Sequence, residues 1–294
     1  MYKTIKDLVT SCQQQQKPIW QIVLAAEQEQ TQASETEIWQ QLAKRYEVMQ
    51  AAIRRATTGD GVYSPTGLTG GEALKIKKYR TSQPTLAGGA LLQAVENAVA
   101  TNEVNAAMGK ICATPTAGSS GTVPGVLFYL KDRLQLKQDQ RLKFLLTSGA
   151  IGLIIANNAM IAGATGGCQA EVGSASAMAA AAAVEAAGGT AEQSSQAVAI
   201  AMSNLLGLVC DPIAGLVEIP CVKRNAIGAV NAIIAADLAL AGCISKIPAD
   251  EVIGAMADIG RKLPREVRET GLGGLAGTPT GQQIQIKIFG KKLD

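Results

Sequence analysis

Three cysteines in this chain are spaced and flanked as ligands would be. Cys168, Cys210 and Cys221 lie 42 and then 11 positions apart, in the strings GATGGCQAEVGSASAMAA and VCDPIAGLVEIPC. Gly166 and Gly167 let backbone come close to a bulky group just before Cys168. Pro212 and Pro220 fix φ beside the other two and stiffen the backbone that carries them. No histidine occurs among the 294 residues. Soft thiolates without imidazole favour zinc or an iron–sulfur cluster. A structural zinc usually takes four closed ligands, often from paired C-x₂₋₄-C knuckles. No such knuckle is present. Three thiolates would hold a cubane by three irons and leave the fourth open as a Lewis acid. On spacing alone the alternative stays open that all three are ordinary buried thiols.

Polar residues near these cysteines supply candidate partners. Thr116, Ser119, Ser120 and Gly121 fall in the string ATPTAGSSGTVPG, and Ser64, Thr66 and Thr69 in SPTGLTGGEALK. Either loop could offer hydroxyls and backbone N–H groups to a carboxylate. A helix opening between Val123 and Leu130 would add an N-terminus that favours an anion. The competing reading is a pair of capped turns, where Ser and Thr serve local needs. Lys223, Arg224 and Asn225 follow Cys221 directly. A cation there could neutralise a cluster or grip a carboxylate; otherwise it is a basic helix end at the surface. Lys75, Lys77, Lys78 and Arg80 read as a solvated run. Glu171 lies three positions after Cys168, so on a helix the two share a face. It is the candidate base, against a surface or structural role. Nothing resembles a lysine in a phosphate-cradling α/β scaffold, so no pyridoxal phosphate is expected.

The two loop strings, the string from Ala162 to Ala180 and CDPIAGLVEIPCVKRN (Cys210 to Asn225) occur together and in order. In these four motifs the chain resembles the iron–sulfur L-serine dehydratases, and specifically the alpha chain of the two-subunit form. The resemblance spans nearly the whole sequence and is weakest before residue 60. It implies a 4Fe–4S cluster on Cys168, Cys210 and Cys221. It implies dehydration of L-serine to aminoacrylate, which gives pyruvate and ammonia, in amino-acid degradation that feeds gluconeogenesis. Glu171 and Lys223 are then the catalytic candidates. Ser64, Thr66, Thr69, Thr116, Ser119, Ser120, Gly121, Arg224 and Asn225 are the candidate substrate-binding set. A separate beta chain is the expected partner, able to close the site or supply a missing polar group. The motifs start almost at once, which leaves no room for a fused N-terminal regulatory domain, and the ending Lys291 to Asp294 holds no cysteine to reach back to the cluster. Two other readings stand beside this one: an L-cysteine desulfidase of the same cluster type, and a non-catalytic iron–sulfur sensor.

These groups need elements to position them. Hydrophobic residues make up 47% of the chain and aromatics only 3%. The core must therefore be built from Ala, Leu, Ile and Val, small enough to let helices approach closely. The net charge of +3 is slight and no basic stripe occurs, so nucleic acid is not expected. The start of the chain has no apolar stretch of signal-peptide length. A cytoplasmic location follows, where disulfides are rare. Cys12 falls on the apolar face of Ile5, Leu8 and Val9 and is expected in the core. Cys243, at the end of an alanine-rich stretch, is expected there too. Cys112 directly precedes the second loop, with burial the expectation and contact with the site the alternative. The apolar stretches 149–164, 175–187 and 226–243 fall short of or barely reach the ~20 residues that span a bilayer. They also carry Asn157, Asn158, Glu185, Asn231 and Asp237, so they read as buried helices.

Apolar residues at three- and four-residue steps (Ile38, Leu42, Tyr46, Met49, Ile53) predict helix across residues 1–57, with Gln13–Gln16 as a helix end. A glycine-rich loop spans Thr57 to Gly71. Helices are predicted from Glu72, over Ala87 to Met108, and over 249–262. The absence of proline from Val126 to Asp211 suits several helices in succession. The closing alternation IQIKIF suggests a short strand, with a terminal extension as the alternative. No GxGxxG or GxxxxGK[ST] fingerprint occurs. The fold class is all-α. A single domain covers 1–294, with an N-terminal helical part (1–57) and a part carrying cluster and substrate (58–294).

Overall fold

The computed structural model describes residues 2–292. Met1, Leu293 and Asp294, and with the last two the end of the 291–294 tail, lie outside the described residues. The described chain forms thirteen α-helices and no strand. The first four are α1 (Ile5–Gln15), α2 (Ile19–Thr31), α3 (Glu35–Ala56) and α4 (Glu72–Ser82). Then come α5 (Gly89–Ala106), α6 (Thr122–Arg133), α7 (Gln138–Asn158), the short α8 (Gly163–Gly166) and α9 (Ser174–Ala186). The last four are α10 (Ala191–Ser203), α11 (Cys221–Leu240), α12 (Ala249–Lys262) and α13 (Pro279–Phe289).

The centre of the molecule is α9. Its sequence SASAMAAAAAVEA is buried without a break from Ser174 to Val184. Helices α6, α7, α10 and α11 pack around it. An alanine methyl buries little apolar area by itself, so this core depends on short backbone separations and many dispersion contacts. Gly228 on α11 shows how short. A methyl group there would sit 2.6 Å from Val172 Cγ1 and 2.8 Å from Thr122 Oγ1. That close approach brings α11 onto both the start of α6 and the turn that carries Glu171. Outside this layer, α5 packs on α3, α4, α6 and α11, and so supports the first glycine loop from behind.

The N-terminal helices share the same core, which runs from Ile5 to Met256. Helix α3 starts at a capping box of Ser34 and Glu37 and buries Ile38, Leu42, Tyr46 and Met49. Tyr46 stacks on Phe128 of α6 with ring centroids 5.0 Å apart. Cys12 is buried as expected, and burial pushes its thiol up to about 11. No described helix is long and apolar enough to cross a membrane.

Three expectations are corrected. The alternating IQIKIF belongs to α13. Thr278 caps its start, Pro279 occupies the first turn and Gly290 ends it in a left-handed conformation. These end signals outweigh a five-residue alternation. Cys243 is exposed rather than in the core, because α11 ends at Leu240 and Gly242 turns the chain outward with φ +87°. The basic run on α4 is only partly solvated. Lys77 donates to the carbonyl of Thr57 at 2.9 Å, and Arg80 pairs with the buried Glu96 of α5.

Candidate active site

Cys168 opens a π-helical turn, Gln169–Gly173, that joins α8 to α9. Such turns interrupt the regular ladder and recur at functional sites. Gln169 pins this one. Its buried amide donates to the carbonyls of Gly166 and Met256 at 3.0 and 3.1 Å and accepts from the Gly207 N–H at 2.9 Å. Cys210 sits in an irregular segment strapped to the C-terminal part of the chain. Its N–H donates to Val267 O at 2.9 Å, and its carbonyl accepts from Glu269 N–H at 2.7 Å. Cys221 is the first residue of α11, directly after the cis Ile219–Pro220 bond. All three sulfurs belong to buried residues.

The three thiols lie within electrostatic reach of one another. Burial pushes Cys168 up to about 12 and raises Cys210 and Cys221 further. A thiolate at Cys168 would raise both of the others, and Glu171 adds to the effect on all three. Unassisted, these sulfurs stay protonated. Only a strongly positive centre would make three thiolates stable here. The guanidinium of Arg224 opposes this build-up of negative charge at Cys168 and Cys221. It donates to Val209 O at 2.8 Å, pairs with Asp211 at 2.8 Å and hydrogen-bonds Cys168. Asp211 is buried and also accepts from Leu275 N–H at 2.8 Å. Among the described residues no three His, Cys, Asp or Glu side chains converge tightly enough to hold a single metal ion.

Bare backbone faces this group. A methyl on Gly163 would stand 2.7 Å from Cys210 Sγ and 2.8 Å from a Glu171 carboxylate oxygen. A methyl on Gly118 would stand 3.0 Å from each Glu171 oxygen. Only residues without a side chain let the backbone come this close to Cys210 and Glu171. Burial raises the Glu171 carboxyl, the Glu269 charge raises it further, and the Thr116 hydroxyl opposes both by donating to Oε1 at 2.7 Å.

The second loop, Thr114 to Gly121, is held rather than free. Ser119 Oγ donates to Thr114 O at 3.0 Å and lies 3.1 Å from Thr116 Oγ1. Ser120 Oγ donates to Asn102 Oδ1 at 3.2 Å. Both serines are fully buried. Asn225 Oδ1 accepts from Gly121 N–H at 3.0 Å, Thr122 N–H at 3.1 Å and the Thr122 hydroxyl at 3.1 Å. Its amide donates to Gly118 O at 2.7 Å and Cys221 O at 3.0 Å. The N-terminus of α6, expected to receive an anion, is thus filled by a side chain of α11. That arrangement fixes the loop to the turn bearing Cys221.

The first loop meets the cysteine segment from the other side. Thr66 Oγ1 donates to Glu218, with the two carboxylate oxygens at 2.8 and 3.0 Å, and lies 3.0 Å from Ser64 Oγ. Thr69 is buried, and its hydroxyl has no hydrogen-bond partner. Lys223 points away from the thiols and pairs with Glu72 at 2.7 Å, its side chain 68% exposed. Cys112 is half-buried and lines an apolar cavity with Met49, Leu145, Gly152 and Met178.

Four acidic residues near the site escape sequence reasoning. Asp211 and Glu218 lie one and three positions from ligand-candidate cysteines, and that proximity was a usable signal. Glu269 comes from the glycine-rich tail, and nothing local marks it. It holds a left-handed backbone, φ 63°, where its N–H reaches Cys210. Glu103, on α5, accepts from the N–H groups of Glu72 and Ala73 at 2.6 and 3.3 Å. Burial pushes it up to about 7 against those two donors. It anchors the start of α4 just after the first loop.

Comparison with known proteins matches this architecture to one group. The family described as "Serine dehydratase alpha chain" matches residues 14–276. A Bacillus subtilis protein named "Probable L-serine dehydratase, alpha chain" is 57% identical over 293 residues, covering 100% of this chain and 97% of the relative. The "L-serine dehydratase, alpha chain" of Peptoniphilus asaccharolyticus is 45% identical over 285 residues, 97% of each. A Helicobacter pylori "L-serine dehydratase" is 38% identical over 284 residues, 94% of this chain but 62% of that longer protein.

Proposed function

The chain belongs to the serine dehydratase alpha chain family, and from that footing we propose that it dehydrates L-serine, working with a separate beta chain. The observation that carries the reading is the meeting of three buried, mutually coupled thiols with the carboxylate of Glu171. Cys168, Cys210 and Cys221 would hold a 4Fe–4S cluster. A cubane gives each thiolate its own iron, so the sulfurs need not converge on one point, and three soft sulfur donors without imidazole suit iron in such a cluster. When bound, the cluster supplies a Lewis acid that polarises the hydroxyl of the substrate.

The rest of the work falls to this chain's side chains. Glu171 takes the α-proton on a carboxylate oxygen. Its raised pKa makes it a stronger base than an exposed carboxylate, and Thr116 fixes its orientation. The proton then leaves with the departing hydroxyl as water, which restores Glu171. Aminoacrylate tautomerises and hydrolyses to pyruvate and ammonia. Arg224 offsets the thiolate charge beside Cys168. Hydroxyls of Ser64, Thr66, Thr69 and Thr116 line the substrate side. Ser119, Ser120, Gly121 and Asn225 keep the second loop in place. Lys223, tied to Glu72, steadies the junction of α4 with α11. No pyridoxal phosphate is required.

The test is anaerobic reconstitution with iron and sulfide, followed by a pyruvate assay with L-serine and with L-cysteine, before and after adding the beta chain. Pyruvate from serine in the two-chain mixture is the expected result. Preference for cysteine would make the chain a desulfidase, and a stable cluster without turnover on either would make it a sensor.

A further inference from the structure

Five carboxylates are buried among the described residues: Glu96, Glu103, Glu171, Asp211 and Glu218. Four have evident compensation. Glu96 and Asp211 pair with Arg80 and Arg224. Glu103 caps the start of α4. Glu171 has Thr116 and the Gly163 N–H. Glu218 differs. It is 5% exposed and takes part in no ion pair among the described residues. Its side chain receives one donor, the Thr66 hydroxyl, at 2.8 and 3.0 Å from its two oxygens. An ionised carboxylate offers about four acceptor positions, and a hydroxyl fills one. Leaving such a group out of water without a cation is costly.

The neighbours of Glu218 on the first loop are neutral hydroxyls, which bring it no positive charge. Ser64 Oγ lies 3.0 Å from Thr66 Oγ1, and the buried Thr69 hydroxyl on the same loop has no partner at all. Glu218 stands three positions before Cys221, on the wall that carries the ligand-candidate sulfur. A buried anion without a cation, beside one unpartnered hydroxyl, calls for a group with several N–H donors and a positive charge.

We propose that Glu218, with Ser64, Thr66 and Thr69, forms the subsite for the α-ammonium group of the substrate. A primary ammonium brings three donors and the missing charge. The subsite would restrict the enzyme to amino acids and exclude hydroxy acids of the same size, because a ligand without nitrogen leaves Glu218 buried and unpaired. The proposal rests on L-serine being the substrate.

The test uses the reconstituted alpha–beta complex and calorimetric binding of L-serine and of 3-hydroxypropanoate, its analogue without the amino group. The wild type should bind L-serine more tightly than 3-hydroxypropanoate by about 10- to 100-fold, the range for a hydrogen bond to a charged group. In Glu218→Gln, L-serine should weaken by that factor, 3-hydroxypropanoate should hold, and the gap should close. Thr66→Val removes the only protein donor but keeps the charge, so the gap should persist or widen. If the carboxylate only ties the loop down, both variants lose both ligands equally, and that result overturns the subsite. An unchanged gap in Glu218→Gln overturns it as well, and would point to a lysine of the partner chain as the true cation. If Glu218→Gln does not fold, Glu218→Asp decides, since it keeps the charge but withdraws it by one methylene: the gap should narrow, and an unchanged gap overturns the subsite. A wild-type complex that neither binds nor dehydrates L-serine would instead overturn the serine reading itself.

Discussion

Replacing Cys210 with serine should abolish the visible absorbance of the cluster and pyruvate formation together. The same holds for Cys168 and Cys221. Each sulfur is buried, and each lies on a separate element: a π turn, an irregular segment and the first turn of α11. None can be replaced by a neighbour without moving backbone. Loss of activity should exceed about 100-fold, since changes to groups that merely support metal ligands already cost 10- to 100-fold. Cys243 is the matched control. It is exposed and remote from the trio in the chain, so Cys243→Ser should leave both signals intact. The check is iron and sulfide content, the absorbance spectrum and turnover on the same preparations. Full activity in Cys210→Ser would contradict the ligand assignment.

Glu171→Gln should lower kcat by about 100- to 10,000-fold, the span of general acid–base contributions. The substitution keeps size and keeps an oxygen for the Thr116 hydroxyl at Oε1. It removes the ability to take a proton. On the proposed reading Glu171 acts on the α-proton and does not grip the substrate, so the KM for L-serine should change little. Cluster content should be unchanged, since the side chain is not a ligand. A kcat within a few fold of wild type, with the cluster intact, would assign the base elsewhere, the beta chain included.

The all-α class was legible because it rests on signals that local physics dominates. Proline is absent over five successive helical elements, from α7 through the π turn to α10, and the periodicity at 249–262 matches α12 to the residue. For the cysteine trio the spacing left ordinary buried thiols as an alternative, and the expectation rested on the resemblance carried by the four motifs; the fold buries all three. Other parts depend on distant contacts. Asn225 looks like a neighbour of the site in sequence, but its amide spans two loops and fills the start of α6, and nothing before folding says so. Arg224 and Lys223 are adjacent in the chain, yet helical rotation turns one toward Cys168 and the other toward Glu72. Glu269 reaches Cys210 from a tail segment by a backbone bond. The alternating IQIKIF was misread because its flanking caps carry more weight than its period.

The most direct test of the central claim is the Mössbauer spectrum of the iron-57 reconstituted protein, recorded with and without L-serine. Three cysteine ligands on a four-iron cluster leave one iron that differs from the rest. The expected result is a single iron of the four whose isomer shift and quadrupole splitting change when L-serine is added, while three stay fixed. Four equivalent irons that ignore L-serine would contradict the account.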